Sequence, residues 1–321
     1  MSILDRVGGT PLVALQRLTP SSGARIVLKL ESANPTGSMK DRMALAMIEA
    51  AERDGRLPPG GAVVEYTAGS TGVSLALVCA VTRHPLHIVS SDAFSREKLD
   101  HMRILGAALH VVPSDSGRMT EKLTRDMVEA ARLLTDRTGA FWTDQLRNTD
   151  QLAAYHRMAD EIWHDTRGEV AAFVQSAGTA ASVRGIGERL RRHSAAARIV
   201  AVEPAESAVL SGGPAGAHKI DGVGAGFVVP LWHDRVADAI ERVSTDDAID
   251  MALRLAREEG LFAGTSTGAN LVAALRVAED LPRGATVVTV MCDTGMKYLK
   301  MYGGLERGDI GRETRLPARN A

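Results

Sequence analysis

The stretch Ala62-Val63-Val64-Glu65-Tyr66-Thr67-Ala68-Gly69-Ser70-Thr71-Gly72 changes period part-way through. Ala62–Tyr66 is a short, largely apolar run with the β-branched and aromatic content of a strand. Thr67–Gly72 follows as a run of small and hydroxyl residues, the composition of a turn that opens a helix. The next strand-like run is Leu86–Ser90. Strand, small-residue turn, helix and strand make the unit of a parallel sheet covered by helices.

The same alternation extends in both directions. Ile26–Leu30, Ala108–Val112, Ala171–Gln175, Arg198–Val202 and Thr286–Met291 read as strands. Met39–Arg53, Ser95–Leu105, Arg118–Leu134, Leu152–Trp163 and Asp246–Glu259 carry the apolar spacing of amphipathic helices. Several strands are almost continuously apolar, as expected where both faces are covered. The fold class is α/β. The polar stretch Thr143–Asp150 separates two blocks of alternation. It suggests a smaller mobile lobe over residues 39–144 and a larger lobe from residues 1–38 with 145–321. The tail Arg312–Ala321 is polar and is expected to be loosely held.

Composition narrows the function classes. The chain has 321 residues, 45% hydrophobic and 24% charged, enough apolar material for a large core. Its 38 basic and 39 acidic residues leave a net charge of −1, so no basic surplus calls for nucleic acid or a membrane surface. No uncharged apolar run reaches membrane-spanning length, and Met1–Arg6 lacks a signal pattern. A soluble, cytoplasmic protein is expected. Cys79 and Cys292 are too few for a disulfide framework or a four-thiolate metal site, and both read as structural.

Three loops share the composition of Thr67–Gly72 and its place before a helix. They are Thr67–Gly72 itself, Ser176-Ala177-Gly178-Thr179-Ala180-Ala181-Ser182, and Gly264-Thr265-Ser266-Thr267-Gly268. Small residues let a ligand approach the backbone, and a helix N-terminus attracts an anion. One such loop is most simply a cap; three together point to a small polyanionic ligand. A fourth element, Asn34-Pro35-Thr36-Gly37-Ser38-Met39-Lys40-Asp41-Arg42, forms a turn in which Ser38 can cap a helix and Lys40 falls in its first turn. The helix dipole disfavours a cation there and should lower the amine's pKa, as carbonyl chemistry by lysine requires. Only seven lysines exist to carry such chemistry: 29, 40, 98, 122, 219, 297 and 300.

Together with Val7–Leu12, Lys29-Leu30-Glu31 and Asp221–Phe227, these motifs resemble the cysteine synthase (O-acetylserine sulfhydrylase) and cystathionine β-synthase family, from about Leu4 to Leu299. The resemblance implies a two-lobed fold type II enzyme dependent on pyridoxal 5′-phosphate. It implies that Lys40 forms the internal aldimine, that Gly178, Thr179, Ala180, Ala181 and Ser182 cradle the phosphate, and that Ser266 meets the pyridine nitrogen. It further implies that Thr67, Ala68, Gly69 and Thr71, with Gln145, hold the substrate carboxylate, that Ser70 faces the cofactor's 3-hydroxyl, and that Gly222 borders the substrate. The sequence departs from the family pattern at Ala68 and Ser70, where serine and asparagine are usual, and at Ala180, Ala181 and Ser182, in place of Gly-Gly-Thr. With no stretch left for a regulatory domain, the likeness is nearer to cysteine synthase.

The implied reaction is β-replacement on an amino-acid substrate, O-acetyl-L-serine, with sulfide to give L-cysteine. Between Ala201 and Asp234 there is no arginine to pair a phosphorylated donor, and Asp221 would repel one. A specialised β-substituted alanine synthase using another nucleophile is the alternative within the class. Outside it stands a non-catalytic protein that holds the cofactor and binds a partner. The resemblance also implies a homodimer and a serine acetyltransferase partner. Gly222-Val223-Gly224 has part of a dinucleotide fingerprint but no strand–helix unit around it.

Overall fold

The computed structural model describes residues 1–67, 69–115 and 120–305. Ala68 and the polar tail 312–321 lie outside the described residues, as do Arg118 and Met119 of the expected helix Arg118–Leu134. In chain order the elements are β1 (Leu12–Ala14), β2 (Arg25–Leu30), α1 (Lys40–Asp54), β3 (Val63–Tyr66), α2 (Ser70–Thr82), β4 (Leu86–Ser91), α3 (Arg96–Ile104), β5 (Ala108–Val112), α4 (Glu121–Thr138) and β6 (Phe141–Trp142). They continue with α5 (Gln151–Asp165), β7 (Ala172–Ser176), α6 (Ala181–His193), β8 (Arg198–Pro204), β9 (Ala239–Val243), α7 (Thr245–Glu259), α8 (Thr265–Glu279), β10 (Thr286–Met291) and α9 (Leu299–Gly303).

Two sheets result. One is wholly parallel, in the order β5-β4-β3-β6; the other runs β1-β2-β10-β7-β8-β9, parallel except for β1 at its edge. Every residue of β3, β7 and β10 is buried, as their apolar runs require of strands covered on both faces. Each of the seven expected strands is present, within two residues at either end. The three unexpected ones are an antiparallel edge strand (β1), a two-residue strand (β6) and a half-exposed edge strand (β9), which carry little apolar signal.

Sequence order sets where the site falls. In a parallel sheet all strands deliver their C-terminal ends to one edge, and ligands bind there. The loop after β3 leads into α2, the loop after β7 into α6, and the loop after β2 into α1. Buried apolar side chains from α1, α2, α5 and α6 form a single cluster with side chains of β3, β4, β7, β8 and β10, so the helices between the sheets share one core. Full burial of one such Leu, Met or Ile contributes about 1.5–3 kcal/mol.

Candidate active site

Lys40 is the first residue of α1, held by backbone contacts to the end of β10. Met39 N donates to the Cys292 carbonyl at 2.9 Å, Thr294 N donates to the Gly37 carbonyl at 3.0 Å, and Ser38 bridges Asp293. Gly37 is required in this turn: its φ is +71°, and a Cβ there would lie 2.7 Å from Thr294 Cγ2. Ser38 Oγ accepts the Lys40 N–H at 3.2 Å, although the residue flanking the helix is Met39 rather than Ser38.

The two buried lysines, Lys29 and Lys98, are engaged. Lys29 Nζ donates to the Thr10 carbonyl at 2.6 Å and lies 2.9 Å from Glu161; Lys98 pairs with Asp221. Lys40 Nζ has no hydrogen bond or ion pair among the described residues. Its pKa is lowered, first by desolvation, with the nearby charges of Cys292, Asp293 and Asp221 pulling the other way. The direction matches the sequence reading, but the leading cause is burial rather than the helix dipole.

The loop after β7 presents free backbone donors at the start of α6. The N–H groups of Thr179, Ala180 and Ser182 find no acceptor in the chain among the described residues, and they open the N-terminus of the 13-residue α6. Ala180 takes φ +66°, ψ −8°, a left-handed conformation that a glycine would adopt without strain. Gly178 lies so close to Gly222 that an added Cβ would meet the Gly222 carbonyl. Gly224 N donates to the Ala177 carbonyl at 3.2 Å, fixing the Gly222 loop against the cradle. These free donors, and a backbone approach with no room for a Cβ, suit the phosphate end of a pyridoxal 5′-phosphate.

Ser266 lies in the first turn of α8, 5% exposed. Its hydroxyl reaches the Cys292 thiol, which also accepts Asn270 Nδ2 at 3.4 Å. Burial holds Cys292 up at about 11, so it remains a neutral thiol, and Lys40 is close enough to pull it the other way. Cys292 is thus close to both the lysine and the serine, a place its isolation in the sequence did not reveal.

On the other side, Thr71 Oγ1 donates to Gln145 Oε1 at 2.9 Å, so the structure brings together two residues 74 positions apart. Thr67 Oγ1 accepts the Gly69 N–H at 3.2 Å. Ser70 Oγ lies 3.4 Å from both Asp293 Oδ2 and Lys297 Nζ. Asp293 also accepts the Tyr298 hydroxyl at 2.7 Å, and its second oxygen, buried, has no partner. Asp293, Lys297 and Tyr298 escaped sequence reasoning because they lie 220 residues and more beyond Ser70, near the chain's end.

A family model described as pyridoxal-phosphate dependent enzyme matches residues 3–293. The chain belongs to this family of pyridoxal-phosphate enzymes. Within it, the chain is 37% identical over 300 residues to the cysteine synthase of Staphylococcus aureus, covering 93% of this chain and 95% of that protein. The O-acetylserine sulfhydrylase isoform 3 of Entamoeba histolytica superposes with a TM-score of 0.89 at 38% identity, over 96% of this chain and 93% of that one. A solved O-ureido-L-serine synthase gives 0.89 at 35% identity, over 96% of both chains. This enzyme is therefore a fold type II pyridoxal-phosphate enzyme of the cysteine synthase family, acting on an amino acid. No helix among its described residues is long and apolar enough to cross a membrane.

Proposed function

We propose that the enzyme replaces the β-substituent of O-acetyl-L-serine with sulfide to give L-cysteine and acetate. The observation that carries this reading is Lys40: a desolvated amine with no partner among the described residues, close to Cys292, the thiol that Ser266 meets. Bound there, pyridoxal 5′-phosphate supplies an electron sink for the pair released from the Cα–H bond. The cradle 178–182 would hold its phosphate, Ser266 its ring nitrogen and Ser70 the opposite ring edge.

The residues of the chain divide the work. Thr67, Gly69 and Thr71, with Ala68 and Gln145, hold the substrate carboxylate, and Gly222 closes the far side. Lys40 takes the proton from Cα as general base while acetate leaves Cβ. Sulfide then adds at Cβ, and Lys40 returns the proton to Cα. A serine beside the ring nitrogen is too weak an acid to protonate it, which favours rapid loss of the leaving group over a long-lived carbanion.

A second reading, another nucleophile in place of sulfide, has one observation in its favour: the Lys98–Asp221 pair offers charge to a polar acceptor near Lys40. We further read residues 39–144 as a smaller lobe that moves on the rest. The assembly is read as a cytoplasmic homodimer with a serine acetyltransferase as partner.

The test is product formation. O-acetyl-L-serine with sulfide should yield L-cysteine and acetate, and Lys40→Ala should abolish it. Borohydride trapping and peptide mapping should mark Lys40; a mark on another lysine overturns the assignment. No acetate release from O-acetyl-L-serine favours a cofactor-holding binding protein. Sedimentation as a monomer at micromolar concentration removes the dimer.

A further inference from the structure

We infer that Glu65 is a positioning residue for the substrate-carboxylate site: its buried carboxylate ties the loop Thr67–Thr71 to Gln145 from below. The inference rests on the proposed role of that loop.

Glu65 is fully buried in β3, immediately before the loop. One carboxylate oxygen accepts the Tyr66 N–H at 2.9 Å, where the chain leaves the strand for Thr67. The other accepts Thr143 Oγ1 at 2.6 Å and the Gln145 N–H at 3.0 Å, where the chain leaves β6. The Gln145 side chain closes the circuit. Its Nε2 donates to the Tyr66 carbonyl at 3.0 Å, and its Oε1 accepts Thr71 Oγ1 at 2.9 Å. A single carboxylate therefore sets the separation of the two segments that would grip the substrate. A carboxyl group buried with three donors has no simple packing role; an apolar residue would fill the same space without its desolvation cost.

The circuit tolerates a proton but not an amide. Thr143 Oγ1 also lies 3.4 Å from the Val64 carbonyl. When Glu65 is protonated, Thr143 can accept from it and turn its own proton to Val64, leaving both backbone N–H groups their acceptors. A glutamine cannot do this. Whichever way its amide faces, an NH2 group meets the N–H of Tyr66 or of Gln145, and one buried donor is orphaned.

The experiment uses the cofactor-loaded enzyme and titrates it with L-alanine, which has no β-leaving group, and with L-alaninamide, which has no carboxylate. Binding is read from the cofactor's absorption. Glu65→Gln should keep the resting absorption, weaken L-alanine by about tenfold, and leave L-alaninamide unchanged. Thr143→Val, which removes one arm and keeps the volume, should weaken L-alanine by several-fold with the same selectivity. Should Glu65→Gln fail to fold, Thr143→Val decides. Unchanged L-alanine affinity, or equal losses for both ligands, overturns the inference. A wild-type protein lacking the cofactor absorption instead overturns the functional reading beneath it, before any variant is compared.

Discussion

Lys98 of α3 and Asp221 of the loop beside the cradle form an ion pair that joins the four-stranded sheet's side of the site to the six-stranded sheet's side. Lys98 Nζ also stands 4.7 Å from the centre of the Tyr298 ring, a cation over an aromatic face. Its stem passes 3.5 Å from where a Cβ on Gly69 would be. Asp221 is thus not the bare negative charge that its sequence neighbourhood suggests. Its cation comes from 123 residues upstream, outside the segment between Ala201 and Asp234 in which an arginine is absent.

Removing either member should shift donor choice in opposite directions. Asp221→Asn leaves Lys98 free to meet an anion, so the kcat/KM ratio of O-phospho-L-serine to O-acetyl-L-serine should rise several-fold. Lys98→Met leaves Asp221 unpaired, and the ratio should fall. Asp221 is about a third exposed, so solvent screening keeps each effect near 1 kcal/mol. Equal ratios in both variants would remove the pair from donor selection.

Two substitutions in the cradle should behave unlike their chemistry. Gly178→Ala adds only a methyl, but the atom it meets is a backbone carbonyl of Gly222, which cannot rotate away. Loss of cofactor retention is expected, measured by absorption after gel filtration. Ala180→Gly removes a methyl that is 1% exposed, at a cost of about 1 kcal/mol, and relieves a left-handed alanine by about the same amount. Its melting temperature should stay within a few degrees of the parent's.

These cases show what a sequence does and does not display. Strand–helix alternation is local, and it is legible to within two residues for β2, β3, β4, β5, β7, β8 and β10. The C-terminal end of β3, the N-terminal end of β4 and the whole of β5 and β10 follow from apolar runs alone. The loop 178–182 and Lys40 can be singled out as candidates in the sequence because each sits within one short motif. Cys292, Asp293, Lys297 and Glu65 cannot, because their meaning lies in contacts across the fold. Lys98 lies in the amphipathic stretch Ser95–Leu105, where a lysine is expected to face solvent, yet it is 6% exposed. A helix's apolar face predicts burial of its neighbours, not which charge will cross to another sheet.

Arg42, two residues after Lys40, should dominate the stability of α1. It is 4% exposed, pairs with Glu31 at 2.7 Å, which is itself fully buried, and makes two bonds of 2.7 Å to Glu161. Arg42→Met leaves Glu31 charged and buried, with only Thr10 and Asn34 as donors. A loss of about 3–5 kcal/mol in denaturant unfolding is expected. Adding Glu31→Met should recover part of it, since an apolar pair needs no counter-charge. A double variant no better than the single would show that Glu161, not Glu31, is what Arg42 serves.

Glu65 predicts a pH effect on stability, separate from its effect on ligand binding. Burial raises its carboxyl from about 4.5 to about 7, against the pull of Thr143, Gln145 and Tyr66, and with Asp144 adding to the rise. Between those values the folded protein holds a proton that the unfolded chain has released. Stability contributed by this group is therefore full below pH 4.5 and declines as pH rises through about 7. Groups with depressed pKa values, such as Glu161 at about 2, act in the opposite sense at lower pH, so only a difference isolates Glu65. Glu65→Gln is neutral at every pH. The variant is expected to be less stable than the parent at pH 5.5, from its orphaned N–H. The gap should narrow up to about pH 7 and then level off, as the parent alone must ionise a buried acid. Urea midpoints for both proteins across this range measure it. A gap that stays constant across this range would mean that Glu65 is already ionised at pH 5.5 and that its three donors outweigh its burial.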